Sequence, residues 1–217
     1  MKKIKMLFFL LLAFITGTAQ PERFRGEIKA FKKLDSISKP PNNEILFIGS
    51  SSFTKWTDVQ HYFPDKPIIN RGFGGSTLQD LIYFANDVIF PYQPKQIVIY
   101  CGENDFAAPG GATGQVVAQR VRQLFDLIRT QYPKVPIAYI SIKPSPSRKK
   151  YLPEVKIANS LIEKMTGKKT HISFINVFDA MLEPDGTINQ GIFLPDDLHM
   201  NDKGYHIWAD IMKPYLK

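Results

Sequence analysis

Apolar residues along this chain follow two patterns that take turns. Short runs at 45–48, 67–69, 96–100, 137–142 and 172–175 are apolar almost throughout, and the stretches between them space apolar residues three and four apart. An uninterrupted apolar run suits a strand covered on both faces, and so a parallel sheet. Three-and-four spacing gives a helix one stripe to bury. Phe24, Ile28, Phe31 and Leu34 form such a stripe in residues 22–38, which Pro40-Pro41 then ends. Val117, Val121, Leu124 and Ile128 form another in 114–131, and Ala158, Leu161, Ile162 and Met165 a third in 153–166. A last helix is expected over about 203–215. Strand and helix alternating five times predict one doubly wound α/β domain, a three-layer α/β/α sandwich.

Residues 1–19 stand outside this alternation. Lys2, Lys3 and Lys5 precede an apolar stretch at 6–15, and Gly17-Thr18-Ala19 supplies small residues for cleavage. This is the pattern of a secretory signal peptide, so export to the periplasm or beyond is expected, with the mature chain starting near Gln20. About ten apolar residues are too few to span a bilayer, and no cysteine follows to carry a lipid, so no stable membrane anchor is expected. The formal charge of +8 falls to +5 without the three signal lysines. Lys32-Lys33, Arg148-Lys149-Lys150 and Lys168-Lys169 are short and scattered, which argues for solvated faces and against a nucleic-acid partner. Cys101 is the sole cysteine and follows an apolar run. It reads as a small buried hydrophobe and leaves stability to the core.

In open parallel sheets ligands collect at the carboxyl ends of the strands. The segments there are 49–53 (GSSSF), 70–77 (NRGFGGST), 101–106 (CGENDF), 143–148 (KPSPSR) and, near the C-terminus, 194–199 (LPDDLH). A serine hydroxyl becomes a useful nucleophile only when a base removes its proton and a third group orients that base. Asp196, three residues before His199, can fold back to accept the imidazole Nδ1–H and leave Nε2 free; equally, it could cap a following helix. Gly72, Gly74 and Gly75 let backbone N–H groups approach a ligand, and Asn104 adds a side-chain donor for an oxyanion. Thr77 or Asp105 as helix caps would explain the same loops without chemistry.

Taken in order, Gly49-Ser50-Ser51, Asn70 to Thr77, Gly102-Glu103-Asn104-Asp105 and Asp196 to His199 resemble the four motif blocks of the GDSL-like, or SGNH, hydrolases. The resemblance spans about residues 44–215. It implies a flavodoxin-like five-stranded parallel sheet, a hydrolase domain over 20–217, and metal-free, cofactor-free ester hydrolysis. It places the nucleophile at Ser51, the base at His199 and its orienting acid at Asp196. The oxyanion donors would be the N–H groups of Ser51 and Gly75 and the amide of Asn104. One departure stands out: Ser50 occupies the place where the family usually has Asp. The GxSxG elbow of other α/β-hydrolases is missing because Phe53 fills its last position.

Other residues read as structural. His61, His171 and His206 lack an acid three residues upstream, no HExxH or Cys/His spacing suggests a metal site, and Trp56 reads as core beneath the serine loop. Arg148 is either solvated or a contact for an anionic or sugar substrate. The expected activity is an exported serine esterase acting on small acyl esters, above all acetyl groups on carbohydrates. The alternatives are a lysophospholipase or thioesterase for longer acyl chains and an inactive carbohydrate-binding relative. The sequence carries no signal for oligomeric state.

Overall fold

The computed structural model describes residues 22–217, so the expected signal segment at 1–19 lies outside the described residues. The strands are β1 (Ile45–Gly49), β2 (Ile68–Gly72), β3 (Gln96–Tyr100), β4 (Ile137–Ile140) and β5 (Ile172–Ile175). They form one all-parallel sheet in the order β2-β1-β3-β4-β5, the flavodoxin-like arrangement. The helices are α1 (Arg25–Ile37), α2 (Ser51–Thr54), α3 (Val59–Tyr62), α4 (Leu78–Tyr83), α5 (Ala85–Val88), α6 (Glu103–Ala107), α7 (Gly114–Gln131), α8 (Leu152–Thr166) and α9 (Asp202–Met212).

Alternation along β1 shows why the run at 45–48 has no polar position. Leu46 and Ile48 enter the core layer that contains Ile28, Val121 and Leu124, while Ile45 and Phe47 enter the opposite layer with Trp56, Tyr205 and Trp208. Both faces of the sheet are therefore dry, and a polar residue at any of these positions would be buried unpaired. The stripe of α7 is buried as its spacing predicts. On α8, Ala158 and Ile162 are buried but Leu161 is exposed, as is Leu34 near the end of α1.

Two strands differ in extent from the apolar pattern. β2 runs on through Asn70 and Arg71 because both polar side chains find partners. Asn70 Nδ2 donates to the Phe53 carbonyl at 2.7 Å, and the Arg71 guanidinium bonds Tyr92 Oη at 2.6 Å and pairs with Asp35. β4 stops at Ile140, and the Ile142 N–H turns instead to Asn159 Oδ1 at 2.8 Å.

β1 lies at the point where connections diverge to opposite sides of the sheet, and its end makes a tight passage. Gly49 has φ +147°, and a Cβ there would lie 1.9 Å from the Tyr100 carbonyl oxygen. Only glycine lets β1 hug β3 at this point, and the Ser50 N–H then bonds that same oxygen at 3.0 Å. Ser51 thus emerges at the carboxyl edge as the first residue of α2.

Candidate active site

Three strand-end loops are tied together at one buried residue, Ser76. Its Oγ donates to the Gly49 carbonyl at 3.2 Å, and its own carbonyl accepts from Asn104 Nδ2 at 3.1 Å. The Gly49 carbonyl also receives the Phe73 N–H at 2.9 Å. The ends of β1, β2 and β3, which carry Ser51, Gly75 and Asn104, are therefore held against one another. One Asn104 N–H is committed to Ser76, which fixes the amide plane. Gly75 adopts φ +78°, and nothing lies within 4 Å of where its Cβ would be, so the space above this backbone is open.

The fourth loop brings Asp196 and His199 together. Asp196 Oδ2 lies 2.6 Å from His199 Nδ1, and Asp196 Oδ1 accepts the N–H groups of Leu198 at 3.0 Å and His199 at 2.9 Å. Burial works against the charged form of Asp196. The three hydrogen bonds outweigh it and hold the carboxyl well below the usual carboxylate range. The group stays ionised across mildly acidic and neutral pH, and its contribution to loop stability is lost only on strong acidification. It does not cap the next helix: Asn201 does, accepting from Lys203 N at 3.0 Å and Gly204 N at 3.3 Å. The loop is closed by Leu194 N–H to the His199 carbonyl at 2.8 Å, and Tyr205 Oη binds α9 to the Ser52 carbonyl at 2.9 Å.

His199 Nε2 is buried and has no hydrogen-bond partner. Ser51 is half-buried, and no hydrogen bond joins its hydroxyl to His199 among the described residues. A ring whose Nδ1 is held by a carboxylate and whose Nε2 is unpaired can take up a proton and give it back. Cys101 offers no competing nucleophile, because burial pushes its thiol well up. Among the described residues, no group of three or more His, Cys, Asp or Glu side chains is placed to hold a metal ion.

Two supports escape sequence reasoning. First, the glycine loop is bracketed from α1 and the residues just before it: the Gly74 N–H donates to Glu27 Oε1 at 3.1 Å, and Arg23 Nη2 donates to the Gly75 carbonyl at 2.8 Å. No local signal announces a pairing across about fifty residues. Second, Glu103, next to Asn104, belongs to a buried network. Lys143 Nζ donates to Glu103 Oε2 at 2.6 Å and to Ser145 Oγ at 2.7 Å, and Tyr100 Oη donates to Glu103 at 2.8 Å. Burial lowers the Lys143 pKa, and Glu103 opposes that shift.

A GDSL-like Lipase/Acylhydrolase family model matches residues 35–207. Solved structures with the same fold include a GDSL-like lipase from Bacteroides thetaiotaomicron, 22% identical with a TM-score of 0.70 over 87% of this chain and 96% of that one. A lipase/acylhydrolase from Enterococcus faecalis is 19% identical, with a TM-score of 0.64 over 81% and 97% of the two chains. A Clostridium thermocellum family 3 carbohydrate esterase is 16% identical, with a TM-score of 0.60 over 80% and 94%. No curated protein matches the sequence. Fold and family together define a carboxylic ester hydrolase. The chain belongs to the GDSL-like lipase/acylhydrolase family, and its matched region begins after Arg23 and Glu27, which hold the glycine loop.

Proposed function

We propose that the protein is an exported serine esterase that removes small acyl groups, principally acetyl, from carbohydrate hydroxyls. The observation that carries this reading is the His199 ring, held through Nδ1 by Asp196 with a buried, unpaired Nε2. In the proposed reaction Ser51 Oγ attacks the ester carbonyl carbon while Nε2 takes its proton. The resulting oxyanion accepts hydrogen bonds from the N–H groups of Ser51 and Gly75 and from the free N–H of Asn104. Collapse breaks the carbonyl–alkoxy bond as His199 returns the proton to the leaving alcohol. Water, deprotonated by the same ring, then attacks the acyl-serine and releases the acid.

Ser50 stands where relatives usually carry Asp, and it takes no part in these proton transfers. Its carbonyl instead receives the Phe53 N–H at 2.9 Å, so it serves to start α2. Asn104→Ala is expected to lower kcat by about a hundred- to a thousandfold. Its loss of stability should stay near ~1 kcal/mol, the worth of one hydrogen bond to Ser76. Steady-state kinetics and a urea titration check both.

The carbohydrate reading is supported by a cleft of about 900 Å³ beside the Asp196–His199 loop, lined by Lys149, Glu183, Thr187, Asn189 and Asp197. These polar groups alternate with the apolar Pro146, Leu152 and Ile188, a mixture that suits the hydroxyls and apolar faces of a sugar. It is also supported by the structural likeness to a carbohydrate esterase. One observation favours the second reading, a longer-chain acylhydrolase. Leu194 is exposed and, with Met200 and Thr54, lines a cavity of about 980 Å³ between α2 and the histidine loop. Hydrolysis of p-nitrophenyl acetate and octanoate by protein starting at Gln20 separates the two. The first reading predicts a kcat/KM for acetate at least about tenfold the higher, because an acyl pocket sized for acetyl has no room for added methylenes. A preference for octanoate would replace it with the second.

A further inference from the structure

The buried and half-buried arginines among the described residues are paired, with one exception. Arg71 is bound by Tyr92 and Asp35, Arg120 by Asp105, and Arg129 by the carbonyls of Tyr132, Val135 and His171. Arg148 is also half-buried, yet its buried Nε has no partner, and its guanidinium makes no ion pair among the described residues. A guanidinium offers five donors in a planar fork and stays charged, so a buried N–H without an acceptor is unfavourable, while its terminal nitrogens remain free to bind one. An unsatisfied buried polar atom calls for a physical explanation, and the other two among the described residues are Trp56 Nε1 in the core and His199 Nε2.

The local helix geometry shows where Arg148 faces. It lies on the short 3₁₀ turn Pro146–Tyr151, in which residues three apart share a face. Pro146, Lys149 and Leu152 form one face and line the cleft beside the histidine loop. Arg148 shares its face with Ser145 and Tyr151, and its N–H bonds the Ser145 carbonyl at 2.9 Å. Both of those residues pack on α6: Ser145 hydrogen-bonds Glu103, and the Tyr151 ring stacks on Phe106 with centroids 6.2 Å apart. Asn104 belongs to the same helix, so the turn that carries Arg148 packs against the element that holds the proposed oxyanion donor. The neighbouring Ser147 N–H donates to the Asp197 carbonyl at 2.9 Å, which fastens the turn to the histidine loop.

Two of the nearby carboxylates are engaged elsewhere, and the third, Asp197, makes no ion pair with Arg148. Glu103 is taken up by Lys143, Ser145 and Tyr100, and both oxygens of Asp196 hold groups of their own loop. After burial and Glu103, the charges that act on Lys143 are those of Arg148, which lowers its pKa, and Asp196, which raises it. Arg148 thus stands within electrostatic range of the site without being consumed by it.

We infer that Arg148 is a substrate-binding residue that receives an anionic group, a carboxylate or a phosphate, on the alcohol portion of the ester. The inference rests on the esterase reading above and narrows its substrate class to acidic esters. A fork of donors matched to two oxygens explains why an arginine is placed here, since a carboxylate or phosphate can pair with both terminal nitrogens, which are not among the buried unpartnered atoms.

The test uses three acetate esters, those of 4-hydroxybenzoate, 4-hydroxyphenyl phosphate and the neutral isostere 4-hydroxybenzamide. Wild type, Arg148→Met and Arg148→Lys are compared on each. Arg148→Met should lower kcat/KM on the preferred anionic ester by roughly ten- to a hundredfold, mainly through KM, and on the amide by far less. Arg148→Lys should recover part of the loss. Whichever anionic ester shows the larger change identifies the anion as carboxylate or phosphate. An equal fall on charged and neutral esters would mean that Arg148 only supports the fold, and an unchanged charged-to-neutral ratio would mean that it meets no anion. Either result overturns the inference. Ser51→Ala serves as the control: turnover that survives in it would overturn the esterase reading, and this inference with it, whatever Arg148 does.

Discussion

Ser51→Ala is expected to lower kcat for acetyl-ester hydrolysis by at least about ten-thousandfold while leaving the fold intact. The size follows from the mechanism: without Oγ no acyl-enzyme forms, and only the donors and the binding surface remain to assist water. The half-buried Ser51 hydroxyl sits at the open carboxyl edge, so its removal leaves no sizeable cavity. The adjacent serines make the test specific. Ser50 and Ser52 are each about 2% exposed, and their roles in the chain are carried by backbone groups, including the Ser52 carbonyl that accepts Tyr205 Oη. Ser50→Ala and Ser52→Ala should therefore keep activity within about tenfold of wild type, because neither removes an oxyanion donor. Steady-state kinetics on p-nitrophenyl acetate, with circular dichroism to confirm folding, read all three variants. A Ser50→Ala loss as deep as that of Ser51→Ala would move the nucleophile by one residue.

The second large effect concerns stability. Lys143→Met should destabilise the protein by about 3–5 kcal/mol, because it strands the Glu103 carboxylate without its cation. Glu103 is 5% exposed and Lys143 1% exposed, so water cannot replace the lost partner. The double variant Glu103→Gln/Lys143→Met should recover most of that loss, since a neutral amide can accept from one of the Tyr100 and Ser145 hydroxyls through its oxygen and donate to the other through its NH₂. Urea unfolding midpoints of the single and double variants measure the difference. Equal destabilisation in both would mean that packing of the Lys143 stem, and not its charge, matters here. The network also joins α6 to the turn at 146–151, so the single variant should lower kcat as well as stability.

The apolar runs made the sheet legible because every strand of a doubly covered sheet must be apolar on both faces. Their lengths were less legible. Asn70 and Arg71 look like loop residues until Phe53, Tyr92 and Asp35 are known to stand opposite them. The Asp196–His199 couple was readable because both partners lie within one turn of chain. Trp56 was readable as core and is fully buried, stacked on Tyr205 with ring centroids 4.8 Å apart. Thr77 indeed caps α4, in a reciprocal pairing with Asp80. Asp105 instead reaches across to Leu78 N at 3.0 Å and Arg120 at 2.7 Å.

What the sequence hid is the set of contacts made between distant segments. Lys143 sits in a basic, proline-rich stretch that looks solvated, and it becomes a buried cation only because Glu103 faces it from 40 residues away. The grip of Arg23 and Glu27 on the glycine loop is hidden for the same reason. Ser76 reads as one more turn residue, yet its hydroxyl and carbonyl join the three loops of the site.

The most direct test of the account is covalent capture of the nucleophile. The protein is incubated with a fluorophosphonate, which phosphonylates only an activated serine, digested, and mapped by mass spectrometry. The account predicts one adduct per chain, at Ser51, abolished in both Ser51→Ala and His199→Ala. An adduct at Ser50 or Ser52, or full esterase activity in protein that carries no adduct, would contradict it.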